Sequence, residues 1–141
     1  GRATDRNAGN LLQELREKGY FRCVMIHHPP LPGLAAPRKA LADARALAEV
    51  LVAEGAELVL HGHNHRHMLN RVEGPSGPVP VIGIPAASAY GTPGRDPAAW
   101  YLHTISREGG RWTLSSRVRG WNGKLGGFET FQEFQLLPET A

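Results

Sequence analysis

Leu11, Leu12 and Leu15 share one face of an otherwise polar segment, which predicts a short helix over residues 7–18. Asn7 or Asn10 can cap that helix, and Gly19 supplies its stop. The apolar run Phe21-Arg22-Cys23-Val24-Met25-Ile26 reads as a strand. It ends at His27-His28-Pro29-Pro30, because successive prolines cannot continue a β-ladder. A loop over 31–37 follows, holding Pro32, Gly33 and Pro37. The periodicity then turns helical over 38–54, where Leu41, Ala44, Leu47, Ala48 and Leu51 recur before Gly55. Glu57-Leu58-Val59-Leu60 is a second strand, running into His61-Gly62-His63-Asn64-His65-Arg66-His67.

Strand, crossover helix and strand make the βαβ unit of a parallel sheet. Ligand sites in such sheets lie beyond the carboxyl ends of the strands, where both histidine-rich segments fall. Neighbouring strands would therefore bring residues 27–28 and 61–65 together across the segment between them. Farther on, the pattern predicts short strands at 68–72 and 79–84 about a turn at 74–78. A small-residue segment, Pro85-Ala86-Ala87-Ser88-Ala89, and a Gly/Pro-rich loop at 90–97 come next. Segments 100–106 and 111–118 flank Arg107-Glu108-Gly109-Gly110 and read as a β-hairpin; after Gly120 the pattern is weak. The expected class is α/β, a βαβ unit followed by mostly antiparallel strands.

Composition narrows this picture. A length of 141 residues suits one domain with its own core, and no repeat, low-complexity tract or linker interrupts it. No apolar run approaches the ~20 residues of a membrane span, and no basic-then-apolar leader opens the chain. The start at Gly1, without Met, is what is expected of a processed or truncated chain or of one piece of something larger. The single cysteine, Cys23, excludes an internal disulfide, is expected in the core, and fits a reducing, cytoplasmic setting. The net charge of +3 is spread along the chain, which argues against a nucleic-acid surface and for a general attraction to anionic substrates.

The candidate chemistry lies in the histidines, six of the seven being at 27, 28, 61, 63, 65 and 67. Imidazole is the commonest protein metal ligand. On an extended segment, residues two apart point the same way, so His63 and His65 can face one site, with His27 closing it from the neighbouring strand. Gly62 lets the backbone approach a metal or an oxyanion. His67 and His103 read as solvated or hydrogen-bonded residues. His28 remains open between a substrate contact, a residue behind the ligands and a structural role.

A strand ending HHPP, a helix, and a strand ending GHNH resemble the last two of the five motif blocks of the calcineurin-like metallophosphoesterases. Those blocks are DxH, GDxxD, GNH followed by an acid, a lone His, and GHxH. The nearest branch is similar to class III cyclic nucleotide phosphodiesterases and glycerophosphodiesterases. The resemblance covers residues 8–120 and implies the second half of an α/β sandwich, a C-terminal portion spanning 1–141. It implies His27 and His63 as ligands of one metal and His65 of another. His28 or His61 would contact phosphate or orient a ligand, and Asn64 would contact substrate. The cofactors implied are two divalent transition ions (Mn, Fe, Zn, Ni or Co) about 3.5–4 Å apart, activating a hydroxide against a phosphate ester.

The chain departs from the family in lacking DxH, GDxxD and GNH; Asp5, Asp43 and Asp96 match none of them. The missing blocks carry the bridging aspartate, so the implied enzyme is incomplete here and the isolated chain is expected to be nearly inactive. Its expected partner is the missing N-terminal half or a second copy, because a sheet cut through its middle leaves an exposed edge. Two other readings stand beside this one. One is a non-enzymatic metal-binding or interaction module, separable by whether upstream residues carry the missing blocks. The other is a mononuclear zinc hydrolase on His27, His63 and His65, separable by metal stoichiometry.

Overall fold

The computed structural model describes residues 2–138, with the side chains of all but 2–6 and 39. The described residues form a mixed α/β structure that divides into two compact units. One comprises Gly1–Asn64 and Met68–Gly83, the other His65–His67 and Ile84–Ala141.

The first unit contains α1 (Arg2–Glu17), β1 (Cys23–Ile26), a 3-10 turn (Pro37–Lys39), α2 (Ala44–Glu54), β2 (Leu58–His61), β3 (Met68–Gly74) and β4 (Gly77–Gly83). Its sheet has the order β1-β2-β4-β3. β1 and β2 are adjacent and parallel, in register from Cys23 opposite Leu58 to Ile26 opposite His61. β4 is parallel to β2 and antiparallel to β3, the hairpin between them turning at Pro75-Ser76. Val24, Val59 and Val81 form one row across three strands. That row packs with Leu12 of α1 and Leu47, Val50 and Leu51 of α2, giving the unit its core.

Side chains alternate along a strand, so Cys23 and Met25 project from the face opposite that row. β1 is the terminal strand of the sheet, and Met25 is 79% exposed there. Cys23 is likewise exposed, which corrects its expected place in the core. An apolar run signals a strand, but not whether that strand is central or at an edge.

Both helices differ in extent from the periodic pattern. α1 begins at Arg2, so Asn7 and Asn10 lie inside it and cap nothing. α2 begins at Ala44 rather than at residue 38. Upstream, the Ala40 N–H closes the short turn on the Pro37 carbonyl, and Ala40 itself is extended. Asp43 occupies the N-cap position of α2 without a side-chain cap bond, rather than lying within the helix. Leu41 continues the apolar repeat through a non-helical segment, which is how the pattern overruns.

Arg22, just before β1, is 3% exposed and ties four elements together. Its Nη2 and Nε donate to the two carboxylate oxygens of Glu57 at 2.8 and 3.0 Å. Its Nη1 donates to the carbonyls of Leu12 in α1 and Glu54 at the end of α2, at 3.3 and 2.8 Å. Arg16 also reaches the Glu54 carbonyl, at 3.2 Å, so the C-terminus of α2 is closed by two guanidinium groups.

The second unit is an antiparallel sheet of order β5-β6-β7, with β5 at Ala99–Glu108, β6 at Arg111–Asn122 and β7 at Gly127–Leu137. Gly109 and Gly110 have φ of 55° and 81°, the two left-handed residues a tight two-residue hairpin requires. β7 falls where the sequence pattern is weak. Most of its residues are exposed, and irregularities in its pairing at 114/115 and 118/119 break the alternation that would have marked it. Among the described residues, no helix is long and apolar enough to cross a membrane.

Candidate metal centre

Ile26 and His61 are paired at the ends of β1 and β2, so the chain leaves both strands side by side. The Gly62 N–H donates to the His27 carbonyl at 3.0 Å, carrying the parallel ladder one step beyond the strands. There His63 Nδ1 stands 3.4 Å from His27 Nε2. The His28 ring lies 4.4 Å from that of His63, tilted by 36°, and 4.9 Å from that of His27, nearly perpendicular to it. Each of the three offers a ring nitrogen, and these atoms lie within 4.8 Å of one another. Among the described residues, this group holds three imidazoles and no carboxylate.

The backbone around His63 is not extended. Its φ is 66°, and the Asn64 N–H donates to the Gly62 carbonyl at 2.8 Å, closing a left-handed γ-turn on a non-glycine residue. His65 is also left-handed, at φ 55°. The alternation of an extended segment, which would aim 63 and 65 the same way, therefore does not apply here. A steric cost of this kind persists only where surroundings over-determine it. Asn64 supplies part of that constraint: its side-chain amide donates to the Leu34 carbonyl at 2.7 Å, and Met68 Sδ lies 3.2 Å away. Its amide nitrogen is thereby engaged with the 31–37 loop.

His61 sits apart from this cluster. It shares the face of Val59, is 3% exposed, and its Nδ1 lies 3.2 Å from the Gly62 carbonyl. Burial holds its pKa below the usual imidazole range, opposed by that carbonyl. Its Nε2 is enclosed with no hydrogen-bond partner among the described residues. The ring occupies space over Gly83 that a side chain would fill: a Cβ there would stand 2.7 Å from His61 Cε1 and 2.9 Å from Met68 Cβ. Gly83→Ala is accordingly expected to cost about 1–3 kcal/mol by overpacking. A chemical-denaturation midpoint measures this; one unchanged from wild type would show that the His61 ring and Met68 both give way to the added methyl without cost.

In the second unit, the His65 carbonyl accepts the Asp96 N–H at 2.8 Å. Asp96 Oδ2 accepts the His67 N–H at 2.6 Å, and His67 Nδ1 lies 2.7 Å from Tyr101 Oη. Burial first, and the Asp96 charge second, push the Tyr101 hydroxyl up to about 12, so it stays protonated and can donate to His67. Burial lowers the His67 pKa, opposed by Asp96. His103 Nδ1 lies 2.7 Å from Ser116 Oγ, and burial lowers its pKa as well. His67 and His103 are thus hydrogen-bonded side chains of a sheet and its adjoining loop. The bond from Asp96 to the residue 65–67 segment had no sequence signal, because its partners are distant and Asp96 lies in the loop between β4 and β5.

Scanned against protein-family models, the sequence matches none, and a search of the curated proteins finds no match.

Proposed function

We propose that this chain carries the metal-holding side of a phosphoester hydrolase. One juxtaposition supports the reading: His27 leaves β1 and His63 follows β2 at the carboxyl ends of adjoining parallel strands, with ring nitrogens 3.4 Å apart. Imidazoles drawn together from two strands suit a shared divalent transition ion. The order HHPP, crossover helix, GHNH resembles the metallophosphoesterase blocks, and from that resemblance comes the substrate class, a phosphate ester.

A divalent ion bound there would supply a water of lowered pKa and positive charge for phosphate oxygens. The chain's own residues supply the framework. His27 and His63 provide ligand nitrogens from two strands, and the bond from Gly62 to the His27 carbonyl fixes the loops that carry them. Asn64 anchors the turn at His63 to the 31–37 loop, which follows His27 and His28 in sequence. The net charge of +3 favours anionic substrates.

The donor set fits one ion. A two-ion centre takes bridging carboxylate, and the DxH, GDxxD and GNH blocks that supply it in the family are absent from these residues. A complete two-ion site would therefore draw those groups from another segment or chain. The test is turnover of bis(p-nitrophenyl) phosphate with added Mn²⁺ or Zn²⁺. The 141-residue chain is expected to run at least ~100-fold slower than the same chain joined to a segment carrying the three blocks. Equal turnover by the chain alone would overturn the two-ion reading. No turnover by the joined, metal-loaded protein would leave a non-enzymatic metal-binding module.

A further inference from the structure

We infer that His28, together with His27 and His63, forms a self-contained mononuclear site for a borderline divalent transition ion. The inference stands on the geometry of the first unit and does not require phosphoester hydrolysis. It departs from the resemblance, which gives His27 and His63 to one ion, His65 to a second, and leaves His28 without a ligand role.

The interatomic distances carry it. In a tetrahedral zinc site with Zn–N near 2.0–2.1 Å, neighbouring ligand nitrogens stand about 3.3–3.4 Å apart. His63 Nδ1 and His27 Nε2 are already at 3.4 Å, with their rings nearly perpendicular at 83°. That separation is long for a hydrogen bond between ring nitrogens and suits the edge of a coordination tetrahedron. The third nitrogen, from His28, lies with them inside 4.8 Å.

The backbone supports the same assignment. Pro29 and Pro30 are fully buried and fix the chain immediately after His28, so its approach to His63 is held by the fold. His63 is held from the other side by its γ-turn and by Asn64. Three imidazoles leave a fourth position for water or an anion, the arrangement of an open zinc site. Nitrogen donors without carboxylates favour Zn²⁺, Co²⁺, Ni²⁺ or Cu²⁺ over Mg²⁺ and Ca²⁺, which take oxygen ligands.

The experiment strips the 141-residue chain with a chelator and titrates it with Co²⁺, followed by visible absorption, and with Zn²⁺, followed by calorimetry. One ion per chain is expected, with the intense visible bands of four-coordinate Co²⁺. His28→Ala should weaken Zn²⁺ binding by at least ~10-fold and reduce those bands. Unchanged affinity and spectrum in that variant would overturn the inference, as would two ions per chain. If the variant fails to fold, imidazole ¹⁵N shifts of the wild-type chain on Zn²⁺ addition decide the matter. Shifts at residues 27, 28 and 63 support the site. A response at His65 in place of His28 returns the ligands to the family pattern and overturns it. None of these readings depends on turnover.

Discussion

Glu57→Ala is expected to lower the stability of the first unit by about 3–5 kcal/mol, the usual cost of leaving a buried charge without its partner. Arg22 is 3% exposed and Glu57 16%, so the guanidinium cannot recover its hydration by turning outward. Glu57 accepts three bonds from Arg22, including its backbone N–H at 2.6 Å, and the substitution removes all of them. Among the described residues, the remaining partners of the Arg22 guanidinium are the carbonyls of Leu12 and Glu54, which accept hydrogen bonds but carry no net charge. Glu57→Gln keeps acceptor and shape while removing the charge, and should lose less. Urea denaturation of the three proteins measures both effects. A Glu57→Ala midpoint equal to that of wild type would show that the buried pair contributes nothing net.

Leu51→Ala should cost about 2–5 kcal/mol, combining lost burial with the cavity left behind. Leu51 is fully buried in the core shared by α1, α2 and the sheet. It lies on the helix that crosses from β1 to β2, so weaker packing there loosens the pairing that brings His27 beside His63. Metal affinity measured under mildly denaturing conditions is therefore expected to fall along with stability. In native buffer, where the folded state dominates, affinity should stay close to wild type. A loss of affinity in native buffer at wild-type stability would instead tie Leu51 directly to the histidine geometry.

The βαβ unit was legible in the sequence because its signals are local. Pro29 and Pro30 end β1, Gly55 ends α2, and short apolar runs mark the strands between. The hairpin at Gly109-Gly110 was legible for the same reason, since two glycines meet the turn's need for positive φ. Arg22 with Glu57 was not, because a buried ion pair formed across 35 positions leaves no periodic trace. The ring row of His61 over Gly83 was equally hidden, as it depends on pairing between β2 and β4.

The histidine site was legible in part. Its place beyond two strand ends followed from chain order, and the structure brings His27 and His63 together there. The approach of His28 required knowing how the chain bends on leaving β1. The direction of His63 required knowing that its backbone is left-handed, which spacing cannot reveal.

That left-handed residue sets two demands on one position against each other. Glycine would adopt the γ-turn at residue 63 without a Cβ penalty, yet it would bring no imidazole. His63→Gly should therefore relax the metal-free fold while abolishing a proposed ligand, so that resistance to unfolding and capacity to hold an ion are expected to move in opposite directions. A screen for thermal tolerance in the presence of chelator would favour the glycine there, and one run with Zn²⁺ would retain the histidine.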